Sequence, residues 1–307
     1  MMKVKLALAT AAFVLATGGS AWADWRDQVP VFRVGLLGGE NEQDRLARYE
    51  PWRQHMEARL GVPVELYPAS DYAGVIQGLA AGQLEFGALG ASSYAAAWLE
   101  TNGGVEPLVV AREDDGTTGY YSVMYTLADS GITSIEDMEG KSLAFADPDS
   151  TSGYLIPKFQ LGDLLGVDPE EGYFSRTGFG GGHEQAVVAV LEGQYDAGVT
   201  WTSLQGDPAT GYSRGNLAEM VAKGMLDMNQ IRIIWNSTLI PNGPNAIRSD
   251  LPQELKDLVR GIIVAMPLEN PEAYEAAERG TGQGYEVVDN AFFEPIIDLR
   301  SKLSAQR

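Results

Sequence analysis

From Val31 onward the chain alternates short apolar runs with longer segments whose apolar residues recur every three to four positions. Val31-Phe32-Arg33-Val34-Gly35-Leu36-Leu37 is apolar nearly throughout and predicts a buried strand. Pro51 as a helix start, Trp52, Met56 and Leu60 at four-residue spacing, and Gly61 past the end predict an amphipathic helix. His55 falls on its polar side and reads as a solvated residue. Val62 to Tyr67 predicts a second strand, Asp71 to Ala81 a helix closed by Gly82, and Leu84 to Leu89 a third strand. A helix from Tyr94 to Leu99 and a strand from Val105 to Ala111 follow. This alternation implies an α/β fold with a mostly parallel sheet and helices on both faces.

The β-rich run Tyr120 to Thr126 leaves that unit, and the same rhythm starts again. Ile132 to Met138 reads as a short helix, Ser142 to Ala146 as a strand, Leu155 to Leu165 as a helix, and Tyr173 to Thr177 as a strand. Gln185 to Leu191 is helical, and Gln194 to Thr200 is a strand ending at Trp201. After the strand Ile231 to Trp235, helices fit Pro252 to Met266, Pro271 to Arg279 and Phe292 to Leu303. Two β runs thus bracket a middle segment, which predicts two lobes joined by double crossovers. Residues 24–122 with 236–307 form one lobe, and residues 123–235 the other.

Before Asp24 the pattern changes. Lys3 and Lys5, an apolar run from Leu6 to Thr17, and small residues ending at Ala23 read as a removable export signal, too short for a membrane span. The mature chain is expected outside the cytoplasm. There is no Cys, so lipid anchoring, disulfides, zinc thiolates and Cys nucleophiles are not expected. The formal charge is −20, and loss of Lys3 and Lys5 takes it to −22. So acidic a surface argues against nucleic acid and anionic membranes as partners. It leaves room for a small anion in a narrow cleft, because surface charges are screened over ~10 Å.

Candidate chemistry collects where strands run into helices. Asp147-Pro148-Asp149-Ser150-Thr151-Ser152-Gly153-Tyr154 comes after a strand and opens a helix. Such hydroxyls cap helix starts, and the free N–H groups and positive dipole end make the same place a seat for a tetrahedral oxyanion. Ser92 and Ser93 stand at a second helix start, with Tyr94 and Tyr72 nearby. Ligands in open parallel sheets sit beyond the carboxyl ends of strands, where these residues fall. Gly178-Phe179-Gly180-Gly181-Gly182-His183-Glu184 brings His183 to a third helix start, and Trp201 ends a strand. Each has an ordinary reading as well: caps for the serines, a structural loop residue for His183, core for the aromatics.

Enzyme templates fail at named residues. Gly140-Lys141-Ser142 resembles the end of a phosphate-binding loop, but Ile135 stands where its first Gly belongs. There is no Gly-x-Ser-x-Gly elbow. With only two His and no Cys, neither a His-rich metal site nor a hydrolase's nucleophile–base pair is supplied. A binding module without cofactor, metal or catalytic residues is the expectation.

The Asp147–Gly153 segment, Ser70-Asp71-Tyr72-Ala73-Gly74-Val75-Ile76-Gln77-Gly78, Gly182-His183-Glu184 and Leu239-Ile240-Pro241 together resemble the periplasmic phosphonate-binding proteins of ABC importers. That resemblance implies a type II periplasmic solute-binding fold, two α/β lobes joined by two β crossovers, closing on a phosphonate, phosphite or phosphate-like oxyanion for a membrane permease. Ser150, Thr151, Ser152 and His183 would donate to the oxyanion, and Tyr72 would close the cleft. Ser92, Tyr94 and Trp201 are further candidates by their placement at strand ends. Two positions depart from members selective for aminoethylphosphonate, since Ser203 and Gly243 stand where those carry carboxylates. The long C-terminal helical extension of some members is also missing, which points to a monomer. A sensor subunit for a membrane kinase would use the same closure.

Overall fold

The computed structural model describes residues 24–305; the export-signal reading of Met1 to Ala23 lies outside the described residues. The first lobe opens with the short helix α1 (Trp25–Gln28) and strand β1 (Phe32–Leu36), then alternates α2 (Glu42–Leu60), β2 (Val64–Pro68), α3 (Tyr72–Ala80), β3 (Phe86–Ala88), α4 (Ala91–Glu100) and β4 (Val105–Ala111). Strand β5 (Gly119–Leu127) carries the chain across. The second lobe holds β6 (Ser142–Phe145), α5 (Ile156–Leu165), β7 (Arg176–Phe179), α6 (His183–Leu191), β8 (Ala197–Thr202), α7 (Asn216–Ala222) and β9 (Ile231–Asn236). Strands β10 (Ile240–Pro241) and β11 (Pro244–Arg248) return the chain, and α8 (Gln253–Glu269), α9 (Pro271–Glu278), β12 (Tyr285–Val287) and α10 (Glu294–Ala305) complete the first lobe.

Each lobe is built on one sheet. The first has strand order β12-β4-β11-β3-β1-β2; the second has β10-β5-β8-β6-β7, with β9 also paired to β5. Parallel pairing joins β1 to β2 and β3, and β6 to β7 and β8. The sheets are nonetheless more mixed than the expected mostly parallel ones. Strand β11 inserts antiparallel between β3 and β4, because a chain coming back from the other lobe enters the sheet from the opposite end. At the crossing, β5 and β10 pair antiparallel at Tyr120–Ile240 and Gly119–Pro241.

Trp25, Phe32, Val34, Trp52, Met56 and Leu60 pack with Leu255, Val259 and Ile263 on one face of the first sheet. A second cluster runs from α3 and α4 through Tyr120 to Phe145, Tyr154 and Leu155, so apolar contact is continuous past the crossover. A third, around Tyr125, Val187, Val190 and Met220, fills the far face of the second sheet.

Local chemistry moves several expected boundaries. Helix α2 starts at Glu42, with the Asn41 side chain capping Gln43 and Asp44, and Pro51 lies inside it rather than at its start. The early cap fixes the helix start, and Pro51 removes only one donor from the ladder. His55 is not solvated as read from its helix face: its imidazole is largely covered, 3.5 Å from Glu269. The expected helix from Ile132 to Met138 contracts to a 3₁₀ turn, Glu136–Met138.

Gly243 comes after β10 and sits against the first lobe: a Cβ there would stand 1.9 Å from the Leu89 carbonyl oxygen. Gly243→Ala should lower stability by roughly 1–3 kcal/mol. The urea midpoint of the purified variant measures this, and an unchanged midpoint would show that the backbone gives way freely.

Candidate functional site

The Ser150–Ser152 segment is locally determined. Ser150 is extended (φ −76°, ψ 138°) and its hydroxyl accepts from the Gly153 N–H at 3.0 Å, so it caps the turn that starts at Thr151. That turn, Thr151–Leu155, is π-helical before α5 begins, a widened turn that often marks functional sites. Gly153 is required by crowding: a Cβ there would lie 2.4 Å from the Ala146 methyl and 3.0 Å from the His183 ring. All three hydroxyl residues are buried.

His183 is the first residue of α6 and meets this segment. Its Nε2 lies 3.1 Å from the Ser150 hydroxyl and its Nδ1 lies 3.2 Å from the Thr200 hydroxyl on β8. Burial, and secondarily the Arg279 guanidinium, push its pKa down to about 3. The ring is therefore neutral at ordinary pH, donating to one hydroxyl and accepting from the other. Tyr72 and Tyr120 line the same cavity as Ser150, Thr151 and Ser152. Both phenols are pushed above their usual range, first by burial.

These groups face one another across a cavity of about 180 Å³ between the lobes. Tyr72, Ser150, Thr151, Ser152, His183 and Trp201 all line it. The volume falls below the ~300–1,000 Å³ of sites for drug-sized ligands, so a small ligand suits it. The lobes touch around its rim. The Ser92 N–H donates to Thr151 Oγ1 at 2.8 Å, the Tyr72 N–H to Asp147 at 3.4 Å, and the Glu184 N–H to the Gly39 carbonyl at 3.4 Å. Gly182 must be Gly here, with φ +155° and room for no Cβ beside the Gly39 Cα.

Two candidates are placed elsewhere. Tyr94 is the fourth residue of α4 and turns back into the core, its ring 4.9 Å from Phe293 and its hydroxyl donating to Asn290. Ser92 does not line the cavity with its side chain, which lies 3.5 Å from Arg300; only its backbone faces Thr151. Ser203 is buried against Ser213, whereas Gly243 does line the cavity.

The sequence reading also missed groups. Tyr120, Asn242, Asn245, Arg45, Arg48, Arg214 and Arg279 line the cavity, and Thr200 orients His183. Arg279 has a left-handed backbone (φ 63°) at the end of α9, which aims its guanidinium over Trp201, 5.8 Å from the ring centre. It pairs with Glu40 and Glu219, both at 3.0 Å; burial works against its charge, but the two carboxylates outweigh that. Arg214 pairs with Glu113 at 2.6 Å and Glu278 at 3.0 Å. One signal was present in the sequence: Arg214 and Arg279 each immediately precede a Gly at an element boundary.

The sequence and the fold have counterparts among known proteins. The family described as ABC transporter, phosphonate, periplasmic substrate-binding protein matches residues 34–293. The chain belongs to this family. Its members are substrate-binding proteins of the periplasm, not enzymes. The phosphonates-binding periplasmic protein of Escherichia coli is 31% identical over 237 residues, covering 76% of this chain and 65% of that protein. The phosphate-import protein PhnD of Mycolicibacterium smegmatis is 30% identical over 234 residues, covering 74% of this chain and 69% of its own length. Among solved structures, the binding protein component of an ABC phosphonate transporter from Pseudomonas aeruginosa superposes with a TM-score of 0.77 at 27% identity, covering 90% of this chain and 87% of its own. The family thus carries the type II two-lobed fold, here with both crossovers at β5 and β9–β10.

The depressed pKa of His183 gives a pH signature. Below about pH 6.5 the unfolded chain binds a proton that the folded ring refuses until about pH 3, so stability falls as pH drops through that window. The slope from this one group is at most ~1.4 kcal/mol per pH unit. His183→Gln should flatten the acid limb of urea-derived stability against pH relative to wild type; parallel curves would assign the acid sensitivity to other groups.

Proposed function

We propose that this chain captures a phosphonate, or a closely related oxyanion, outside the cytoplasm and delivers it to an ABC-type importer. The observation that carries the reading is the convergence of Ser150, His183 and the Thr151–Leu155 turn on one interlobe cavity. A dianion leaving water needs charge-assisted hydrogen bonds at each oxygen, and helix starts supply them without a mobile counterion. Ser150, Thr151 and Ser152 donate to the oxygens, His183 donates to Ser150 and so leaves that hydroxyl's proton free for the ligand, and Tyr72 closes the seat from the first lobe. The Ser92 N–H, held by Thr151 Oγ1 at 2.8 Å, joins once the oxyanion displaces that bond. Trp201 forms the wall beyond.

Within the same reading the lobes divide at residues 24–122 with 236–307 and 123–235, although Gly119–Ser122, Asn236 and Ile240–Pro241 pair within the second sheet. The export signal is removed near Ala23. One copy suffices, since a single chain builds the whole cavity, and the acidic surface turns nucleic acid away.

Titration calorimetry of the mature protein with methylphosphonate tests the core of this. Ser150→Ala and His183→Ala should each weaken binding by ~10-fold or more. Binding that both substitutions leave intact would move the site elsewhere.

Leu89 and Trp201 give the wall an apolar part, which leaves a phosphate hydroxyl unpaired while accepting a P–C bond. Phosphate at equal concentration should fail to displace methylphosphonate in a competition titration. Displacement would instead favour a phosphate receptor, the role named for the Mycolicibacterium relative.

A further inference from the structure

Beyond the hydroxyl seat the cavity is lined by guanidiniums, Arg214 and Arg279, each paired with two carboxylates. Tyr120 lines the cavity with Thr151 and Ser152, Trp201 packs edge-on against Tyr120 at 5.6 Å, and Arg279 lies 5.8 Å over Trp201. Arg279 and Arg214 both line the same cavity as the seat. Their partners Glu40, Glu219 and Glu113 do not line it. The guanidiniums face inward and these three carboxylates stand behind them.

The carboxylate that an ammonium group needs is already engaged. Among the described residues the sole carboxylate lining the cavity is Glu278. Its Oε1 accepts from the Tyr285 hydroxyl at 2.8 Å and its Oε2 from Arg214 at 3.0 Å. Donors are in surplus instead. Arg214 spends three hydrogen bonds on Glu113 and Glu278, leaving N–H groups of its five unused. Asn245 is 8% exposed, lines the cavity, and its side chain has no hydrogen-bond partner among the described residues. An amide open to the cavity and free of protein partners is available to hydrogen-bond a ligand there.

We propose that the cavity takes a phosphonate carrying a carboxylate on a short carbon tail, the phosphono group on Ser150–Ser152 and the carboxylate against Arg279, Arg214 and Asn245. This rests on the phosphonate-capture reading and names its substrate class. A carboxylate accepts from the unused N–H groups and from the Asn245 amide together. An ammonium at the same wall meets two cations and finds only amide oxygens, with no free carboxylate to pair with, and a methyl group leaves the Asn245 amide unused.

The test is calorimetry of the mature protein with phosphonoacetate, 3-phosphonopropionate, 2-aminoethylphosphonate and methylphosphonate. At least one phosphonocarboxylate should bind ~10-fold or more tightly than either of the other two. Asn245→Ala, which breaks no side-chain hydrogen bond among the described residues, should reduce that ligand's affinity ~5-fold more than it reduces methylphosphonate affinity. Arg214→Gln should act in the same direction, with thermal unfolding recorded alongside to show that the chain still folds. Tightest binding of 2-aminoethylphosphonate, or methylphosphonate binding as tightly as the carboxylates, overturns the proposal while leaving phosphonate capture standing. No binding of any of the four overturns both.

Discussion

The contact between Ser150 and His183 ties two helix starts of the second lobe to a single point. Three constraints meet there. The Gly153 N–H holds the Ser150 hydroxyl, Thr200 holds the far side of the imidazole, and the small volume at Gly153 lets the ring come close. None of these groups is charged, yet together they aim several N–H and O–H donors at one volume. Burial keeps the imidazole neutral, so what the seat offers is dipoles and not charge.

In a chain with net charge −20, the cavity wall beyond still places guanidiniums beside the seat. The guanidiniums are held by carboxylates from both sides of the cleft. Arg214 of the second lobe pairs with Glu113 and Glu278 of the first, and Arg279 of the first pairs with Glu219 of the second. Pairs this buried are worth little net against apolar replacements, but removing one partner leaves an uncompensated charge and costs ~3–5 kcal/mol. They specify how the lobes meet more than how strongly each folds.

Much of the site was legible because its chemistry is local. Hydroxyls before a helix, a Gly that a neighbouring ring crowds, and a His after glycines are all decided within a few residues. Tyr94 shows the limit of that logic: it shares the strand-end placement of Tyr72, but its place in α4 turns it toward Phe293. The arginines were illegible for the opposite reason, since Arg214 finds Glu113 across 101 residues and Glu278 across 64. Strand β11 escaped because Pro244-Asn245-Ala246-Ile247-Arg248 is neither an apolar run nor an alternation; its identity comes from the neighbours on either side. The parallel strands of both lobes, by contrast, announced themselves as apolar runs.

Arg300 adds a contact outside the cavity. It sits on α10 of the first lobe and reaches over to the Pro148 carbonyl and the Asp149 carboxylate, just before the hydroxyl seat. Any motion that separates the lobes must pull this bond apart at the periphery, next to exposed Ser301 and Lys302. Opening of the cleft is thereby transmitted to an outer helix. A dye on that helix paired with one on the second lobe would turn the protein into an optical sensor for its own cargo.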